Sequence, residues 1–272
     1  MPELTEGPSG ILDRTLAVFA LLAGEPRGLP LSVIADRLAI PRSATHRLLT
    51  DLADRGFVRQ ERDHGAYLLT ARLVSLAFTW LAATGVTDIA QPILDALARQ
   101  TGELVRLSVV DGPRLTWIAK AQGARAGLRY DPDNGQEARL GCSASGFAWL
   151  ACLPDAEALA LVERQGGFTG LDAYGPAAPR DAAALLAHLH ATQARGYSVT
   201  VRTFADWMAA MAAPVRHPGT GEVRGVVSIA GPHARMTEAW MHDAAPALLA
   251  AAAELAAAAA ASPALRPAGA AA

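Results

Sequence analysis

The segment from Leu31 to Thr70, LSVIADRLAIPRSATHRLLTDLADRGFVRQERDHGAYLLT, sets two short amphipathic helices around a tight turn and follows them with a hairpin. Val33, Ile34 and Leu38 recur near helical spacing, and the small Ala35 lets a second helix cross closely. Pro41 breaks this first helix, because the residue before a proline is pushed out of the helical region while the proline itself can open a new helix. A second helix then runs from Arg42 to Arg55, with Thr45, Leu48, Leu49 and Leu52 on one face. Gly56 ends it, Phe57 and Val58 start a strand, Asp63-His64-Gly65 supplies the turn, and Tyr67, Leu68 and Leu69 return. The order predicts a winged helix-turn-helix.

The opposite face of the second helix carries Arg42, Ser43, His46, Arg47 and Thr50. Such a face suits a major groove: arginine offers two parallel donors to a guanine edge, and hydroxyls reach phosphates or bases. Arg59 and Arg62 flank the hairpin as phosphate or minor-groove contacts do. The plainer alternative is a small helical subdomain with a solvated polar face, and the basic-edged hairpin argues against it. Residues 1–80 hold 9 Arg against 9 Asp plus Glu, and the chain's formal net charge is −2. Net charge therefore gives no general attraction to nucleic acid. Across residues 41–62, Arg42, Arg47, Arg55, Arg59 and Arg62 outnumber Asp51, Asp54 and Glu61. That local excess fits a sequence-reading dimer better than a nonspecific coat.

At 272 residues and 51% hydrophobic content, the chain is long enough for two domains. The polar, acidic start MPELTEGPSG lacks the charged and apolar regions of a signal peptide, so the cytoplasm is the expected compartment. Cys142 and Cys152 are expected to be reduced and buried; on a single helix they would stand three turns apart, too far for a disulfide. The alanine-rich run Ala244–Ala261 is read as a surface-packed helix, since alanine is a weak membrane residue and Glu254 interrupts it. The Pro/Ala/Gly-rich tail 262–272 is expected to be disordered.

Ile11, Leu12, Thr15, Leu16, Val18, Phe19 and Leu22 predict an earlier helix that completes a three-helix core. Arg72 to Thr84 predicts an apolar linker or dimer helix, broken at Gly85 and Asp88, before a further helix from Ile89 to Arg99. Beyond it, LVRLSVV, RLTWIAK and EVRGVVSIAG read as strands, interleaved with helices near 143–153, 155–165 and 181–195. The pattern is that of an α+β domain rather than a repeat array or a doubly wound sheet.

With the order of these segments in view, the chain from Gly10 to Ala261 resembles the IclR family of bacterial transcription regulators. The resemblance is carried by IPRSATHRLLTDLADRGFV, the wing ending GAYLL, ILDALARQTGELVRLSVVDG, and the late pair MAAPV and GVVSIAGP. It implies a winged helix-turn-helix domain (1–72), a linker helix (73–88), a GAF-like effector-binding domain (89–261) and the tail. It further implies a homodimer or homotetramer that binds double-stranded operator DNA and a small metabolite, often an organic or aromatic acid. The family's H-A-T-A-x-G-K-A segment stands here as Gly141-Cys142-Ser143-Ala144-Ser145-Gly146-Phe147-Ala148, without the histidine and lysine. Its acidic stretch after Gly-Tyr is Thr200-Val201-Arg202-Thr203, and the cysteine before A-A-P is Ala210.

The family's effector-contact positions correspond to Leu140, Ala144, Ser145, Thr200, Ala210, Ser228 and Ala230; side-chain chemistry adds Leu128, Tyr130 and Arg202. Small residues leave volume, hydroxyls can donate to a carboxylate, and Arg202 is the expected cation for an acid. Trp207, Met208 and Met211 are further candidates for the walls. An enzyme is disfavoured: GCSASG fails the G-x-S-x-G pattern because Ser145 stands where glycine is needed, and Ser143 and Ser145 suit a helix cap and a pocket hydroxyl. His188 and His190, two apart on a helix, point different ways, and His217, His233 and His242 lack ligand spacing, so no metal or cofactor is expected. The competing class is an adaptor whose winged domain contacts protein.

Overall fold

The computed structural model describes residues 8–61, 65–84, 86–170 and 173–259. Two compact units divide the chain, residues 1–81 and 82–272.

The first unit contains α1 (Ile11–Ala23), α2 (Leu31–Leu38), α3 (Arg42–Asp54), β1 (Val58–Gln60), β2 (Tyr67–Leu69) and the start of α4 (Ala71–Thr84). Its core joins Val18 and Leu22 of α1, Ile34 of α2, Leu48, Leu49 and Leu52 of α3, and Val58 and Tyr67 of the hairpin. Only the second half of α1 enters this core. Ile11, Leu12 and Leu16, expected to share it, are 56–72% exposed. The chain turns from α2 to α3 through Ala39, held in the left-handed region at φ 52°, a conformation that costs a residue with a Cβ about 1–2 kcal/mol. The hairpin is antiparallel with Arg59 opposite Leu68, and Leu29 adds a two-bond bridge to Tyr67. Gly28 permits that bridge: its φ is 71°, and a Cβ there would sit 2.6 Å from the Tyr67 carbonyl oxygen. The expected turn at Asp63-His64 and the candidate Arg62 lie outside the described residues, as does the tail 262–272.

The second unit is built on a five-stranded antiparallel sheet in the order β4-β3-β7-β6-β5. In chain order it holds α5 (Val86–Thr101), β3 (Leu104–Asp111), β4 (Arg114–Gln122), α6 (Ala144–Leu150), α7 (Asp155–Arg164), α8 (Ala182–Arg195), β5 (Ser198–Val201), β6 (Met208–Arg216), β7 (Val223–Pro232) and α9 (Glu238–Ala259). Asp88, expected as a break, lies inside α5, and the alanine run is the second half of α9. Strand β6 is not evident from sequence, because MAAMAAPVR is mostly alanine and methionine, with Val215 its one β-branched residue and a proline before it. Alternation along β6 sends Met211 and Ala213 to the α5/α9 layer and Ala210 and Ala212 to the layer of α6, α7 and α8.

Helix α6 lies hard against its own entry. All seven of its residues are buried, Ser143 caps it by accepting from the Gly146 N–H at 3.0 Å, and a Cβ on Gly146 would meet the Leu140 oxygen at 2.4 Å. Cys142 and Cys152 flank α6 rather than share it; both are free, and Cys152 is only half-buried. No helix among the described residues is long and apolar enough to cross a membrane.

Candidate functional site

On α3 the burial of Thr45, Leu48, Leu49 and Leu52 fixes the helix's rotation, and the consequence is an exposed stripe of Arg42, Ser43, His46, Arg47 and Thr50. Thr45 is held inside by donating its hydroxyl to the Pro41 carbonyl (3.2 Å), which closes off the polar atom that burial would otherwise strand. Arg42 faces Asp36 at a loose 3.8 Å, and Thr50 donates back to the His46 carbonyl at 3.0 Å. Arg47 makes no hydrogen bond or ion pair among the described residues, so its five donors are available. Arg59, on β1, is also exposed, with Glu61 at 3.9 Å. Thirteen helical residues span about 20 Å, a rod that a major groove admits.

The second unit holds a partly open cavity of about 30 Å³ between the sheet and α6. The cross-strand register makes it: Arg106, Ser228 and Ala212 form one row across β3, β7 and β6, and Leu104, Ala230, Ala210 and Thr200 form the next. Alanine and serine at 210, 228 and 230 leave the space beneath Ser143, Ala144 and Ser145. Strand β4 would present only alternate residues to this face. A bulge between Leu107 and Ser108 of β3 and the facing residues of β4 skips Ile118, so that Trp117 turns toward the cavity while Ala119 faces the α5/α9 layer.

Arg106 is the charged wall of this cavity. It is 2% exposed, its guanidinium lies 4.0 Å over the Trp117 ring, and its Nη2 donates to the Asp133 carbonyl at 3.0 Å. Its Nε and the Trp117 Nε1 are buried without an acceptor. Burial pulls the guanidinium down to about 10, which leaves it charged at neutral pH, and pushes the neighbouring Tyr130 phenol up.

Of the effector candidates, Tyr130, Ala144, Ser145, Ala210, Ser228 and Ala230 line this cavity together. Four do not. Leu128 is 60% exposed, and its carbonyl accepts from Arg235. Leu140 is fully buried in the core around Phe147, and Thr200 spends its hydroxyl on the Ala210 carbonyl at 3.0 Å. Arg202 leaves the strand altogether: at φ 58° the backbone turns, alternation with Thr200 ends, and the guanidinium donates outward to the Asp206 carboxylate (2.6 Å). Of the further wall candidates, Met208 lines the cavity with Phe204, Met211 faces the opposite layer, and Trp207 sits outside, edge-on to Tyr130 at 5.6 Å. The residue that sequence reasoning missed is Arg106. Its signal was a charge in the middle of the apolar strand LVRLSVV.

Away from the cavity, Thr203 Oγ1 and Arg224 Nε are also buried without a partner. Burial drives the Cys142 thiol up to about 12, so it is no nucleophile. His190 pairs with Asp155 at 3.0 Å and His188 stacks on Phe147. A second hollow of about 130 Å³ lies beside Cys152, Thr192 and Arg216, and there the guanidinium is already engaged by the Gly221 carbonyl and the Cys152 Sγ. No cluster of potential metal ligands occurs among the described residues.

Comparison with known proteins agrees with both units. The IclR helix-turn-helix domain matches residues 11–62, and the bacterial transcriptional regulator IclR C-terminal domain matches residues 78–257. The chain is 29% identical over 227 residues to the transcriptional regulator KipR of Bacillus subtilis, covering 83% of this chain and 87% of that one. It is 29% identical over 228 residues to the transcriptional repressor IclR of Escherichia coli, covering 84% and 81%. An IclR homolog from Microbacterium hydrocarbonoxydans, solved as a complex with 4-hydroxybenzoate, shares the fold with a TM-score of 0.77 at 22% identity, over 93% of this chain and all of that one. These relatives are regulators and repressors rather than enzymes. The chain belongs to the IclR family of DNA-binding bacterial transcription regulators.

Proposed function

We propose that the protein is a ligand-responsive regulator that reads double-stranded operator DNA with α3 and changes its output when an organic acid, aromatic in the favoured form, fills the cavity under α6. The observation that carries the DNA half is the exposed stripe of α3, with Arg47 uncommitted. Arg47, His46, Ser43, Arg42 and Thr50 reach base edges and phosphates, and Arg59 and Arg62 at the wing hold the backbone. Ligand response is supported by the cavity with its buried donors, and the aromatic character by its walls of Trp117, Tyr130 and Phe204. The complex of the Microbacterium relative with an aromatic acid points the same way.

The protein acts as a homodimer or homotetramer. Val74, Leu76, Phe78 and Trp80 of α4 are 51–64% exposed, an apolar surface that a second copy would cover. Residues 1–72 serve as the reader, 73–88 as the linker and 89–261 as the effector-binding part. A reader of operator DNA works in the cytoplasm. Fluorescence anisotropy with DNA from upstream of its own or a neighbouring transcription unit tests the reading: affinity should fall steeply with salt and shift with an added acid. Salt-independent or absent DNA binding would favour the protein-contact adaptor.

A further inference from the structure

Among the described residues Arg106 is the only cation on the cavity wall, and its hydrogen bonding is open along one edge. The Nη2 group donates to the Asp133 carbonyl, while Nε, on the same side of the fork, donates to nothing; Trp117 Nε1 is in the same condition. Buried donors without acceptors are costly, and a charged one more than a neutral one. No acidic residue among those described lines the cavity to satisfy them. A carboxylate laid along the Nε–Nη2 edge supplies two acceptor oxygens in the geometry a guanidinium favours. One guanidinium balances one carboxylate, and a second would be buried unpaired.

Room is the other constraint. About 30 Å³ holds little more than a water molecule, so an organic acid enters only if a wall gives way. The strands and α6 are packed into the core. The remaining walls are the irregular runs 123–135, which carries Tyr130, and 202–207, which carries Phe204; they meet where Tyr130 rests on Trp207. The first run is tied down by Lys120 to Asp131 and the Pro132 carbonyl, by Gln122 to the Tyr130 carbonyl, by Arg235 to the Leu128 carbonyl, and by Arg106 to the Asp133 carbonyl. Two ties start from residues of the cavity wall: the Trp117 carbonyl accepts from the Gly135 N–H at 2.7 Å, and Arg106 alone among the described lining residues holds the run through its side chain.

On the reading that this cavity is the effector site, we infer that Arg106 is its anion receptor, that it selects acids bearing a single carboxylate on an apolar body, and that capturing the carboxylate releases Asp133. The carboxylate competes with the Asp133 carbonyl for Nη2 because it adds a full opposite charge and a second, parallel bond through Nε, which a single neutral carbonyl does not offer. Occupancy is thereby reported on the surface, through the loosened run 123–135.

The test is calorimetric titration of the full chain with benzoate, phenylacetate and hexanoate, each beside its primary amide, and with terephthalate, combined with amide hydrogen exchange. A monocarboxylate should bind at least about tenfold more tightly than its amide or than terephthalate. That preference should vanish in Arg106→Gln and shrink in Arg106→Lys, and added acid should speed exchange within 123–135 in the wild type. Should Arg106→Gln fail to fold, Arg106→Lys and Trp117→Phe, which removes the indole N–H and shrinks the ring but keeps an aromatic face, carry the comparison. Equal binding of acid and amide, undiminished preference in the variants, or no binding across the panel overturns Arg106 as receptor. Unchanged exchange with acid bound overturns the coupling. Failure of the underlying regulator reading looks different: the wild type then ignores operator DNA, or holds it regardless of any compound that titrates.

Discussion

The guanidinium of Arg106 stacks 4.0 Å above the Trp117 ring although the strand register sets Lys120, not Trp117, opposite Arg106. The bulge at Ile118 produces this pairing by advancing β4 one residue, and the cavity then acquires a flat aromatic floor under its one cation. A plain two-residue alternation through β4 would have placed Trp117 in the α5/α9 layer with Ala119, leaving Arg106 to face an empty space.

The charge state of Arg106 predicts a pH profile. Burial lowers its value to about 10, and the charged form is the one that holds an acid. Affinity for benzoate should therefore stay level between about pH 6 and 8.5, where the ligand is ionised and the guanidinium protonated, and fall as pH rises through about 10. A titration near neutrality would instead place a histidine at the anion.

Arg47→Ala should weaken binding to the cognate operator by about 1–3 kcal/mol and to random DNA far less, because a bidentate base contact discriminates while phosphate contacts do not. Competition titrations with both DNAs read this directly. Equal losses would move Arg47 to backbone positioning.

Arg202→Ala should leave acid affinity unchanged. Its side chain is engaged by Asp206 at the surface, and losing an exposed pair of this kind costs no more than about 1 kcal/mol. Weaker acid binding in the variant, measured by calorimetry, would return Arg202 to the cavity.

Ala39→Gly relaxes the left-handed turn between α2 and α3, at φ 52°, while making the unfolded chain more flexible. The two effects leave a net gain between zero and about 1 kcal/mol, to be read from the urea midpoint. A clear loss would mean that the Ala39 methyl contributes packing.

Replacing Phe78 and Trp80 together by serine should dissociate the assembly, since both side chains lie more than half exposed on α4. Sedimentation velocity at micromolar concentration checks it. A wild type that is already monomeric, free and on operator DNA, would remove the oligomer from the proposal.

The exposed polar face of α3 was legible because it depends on a local rule: 3.6 residues per turn and four apolar positions leave one rotation for the helix, and the polar stripe follows. The capped starts of α6 and α8, at Ser143 and Asp181, were legible for the same reason. Family correspondence and small-residue chemistry placed Ala144, Ser145, Ala210, Ser228 and Ala230 at one site, and the fold brings them together. What the chain order does not contain is the register between strands far apart in sequence. Arg106 meets Ser228 across more than a hundred residues, and Trp117 reaches the cavity only through a bulge that β4 alone does not announce. Arg202 shows the converse: its charge made it the expected cation for an acid, but the backbone turn at φ 58° ended the strand at Val201 and gave the guanidinium to Asp206. Local periodicity determined the elements and the exposed polar face of α3, whereas non-local pairing and one left-handed residue decided which arginine stands in the cavity.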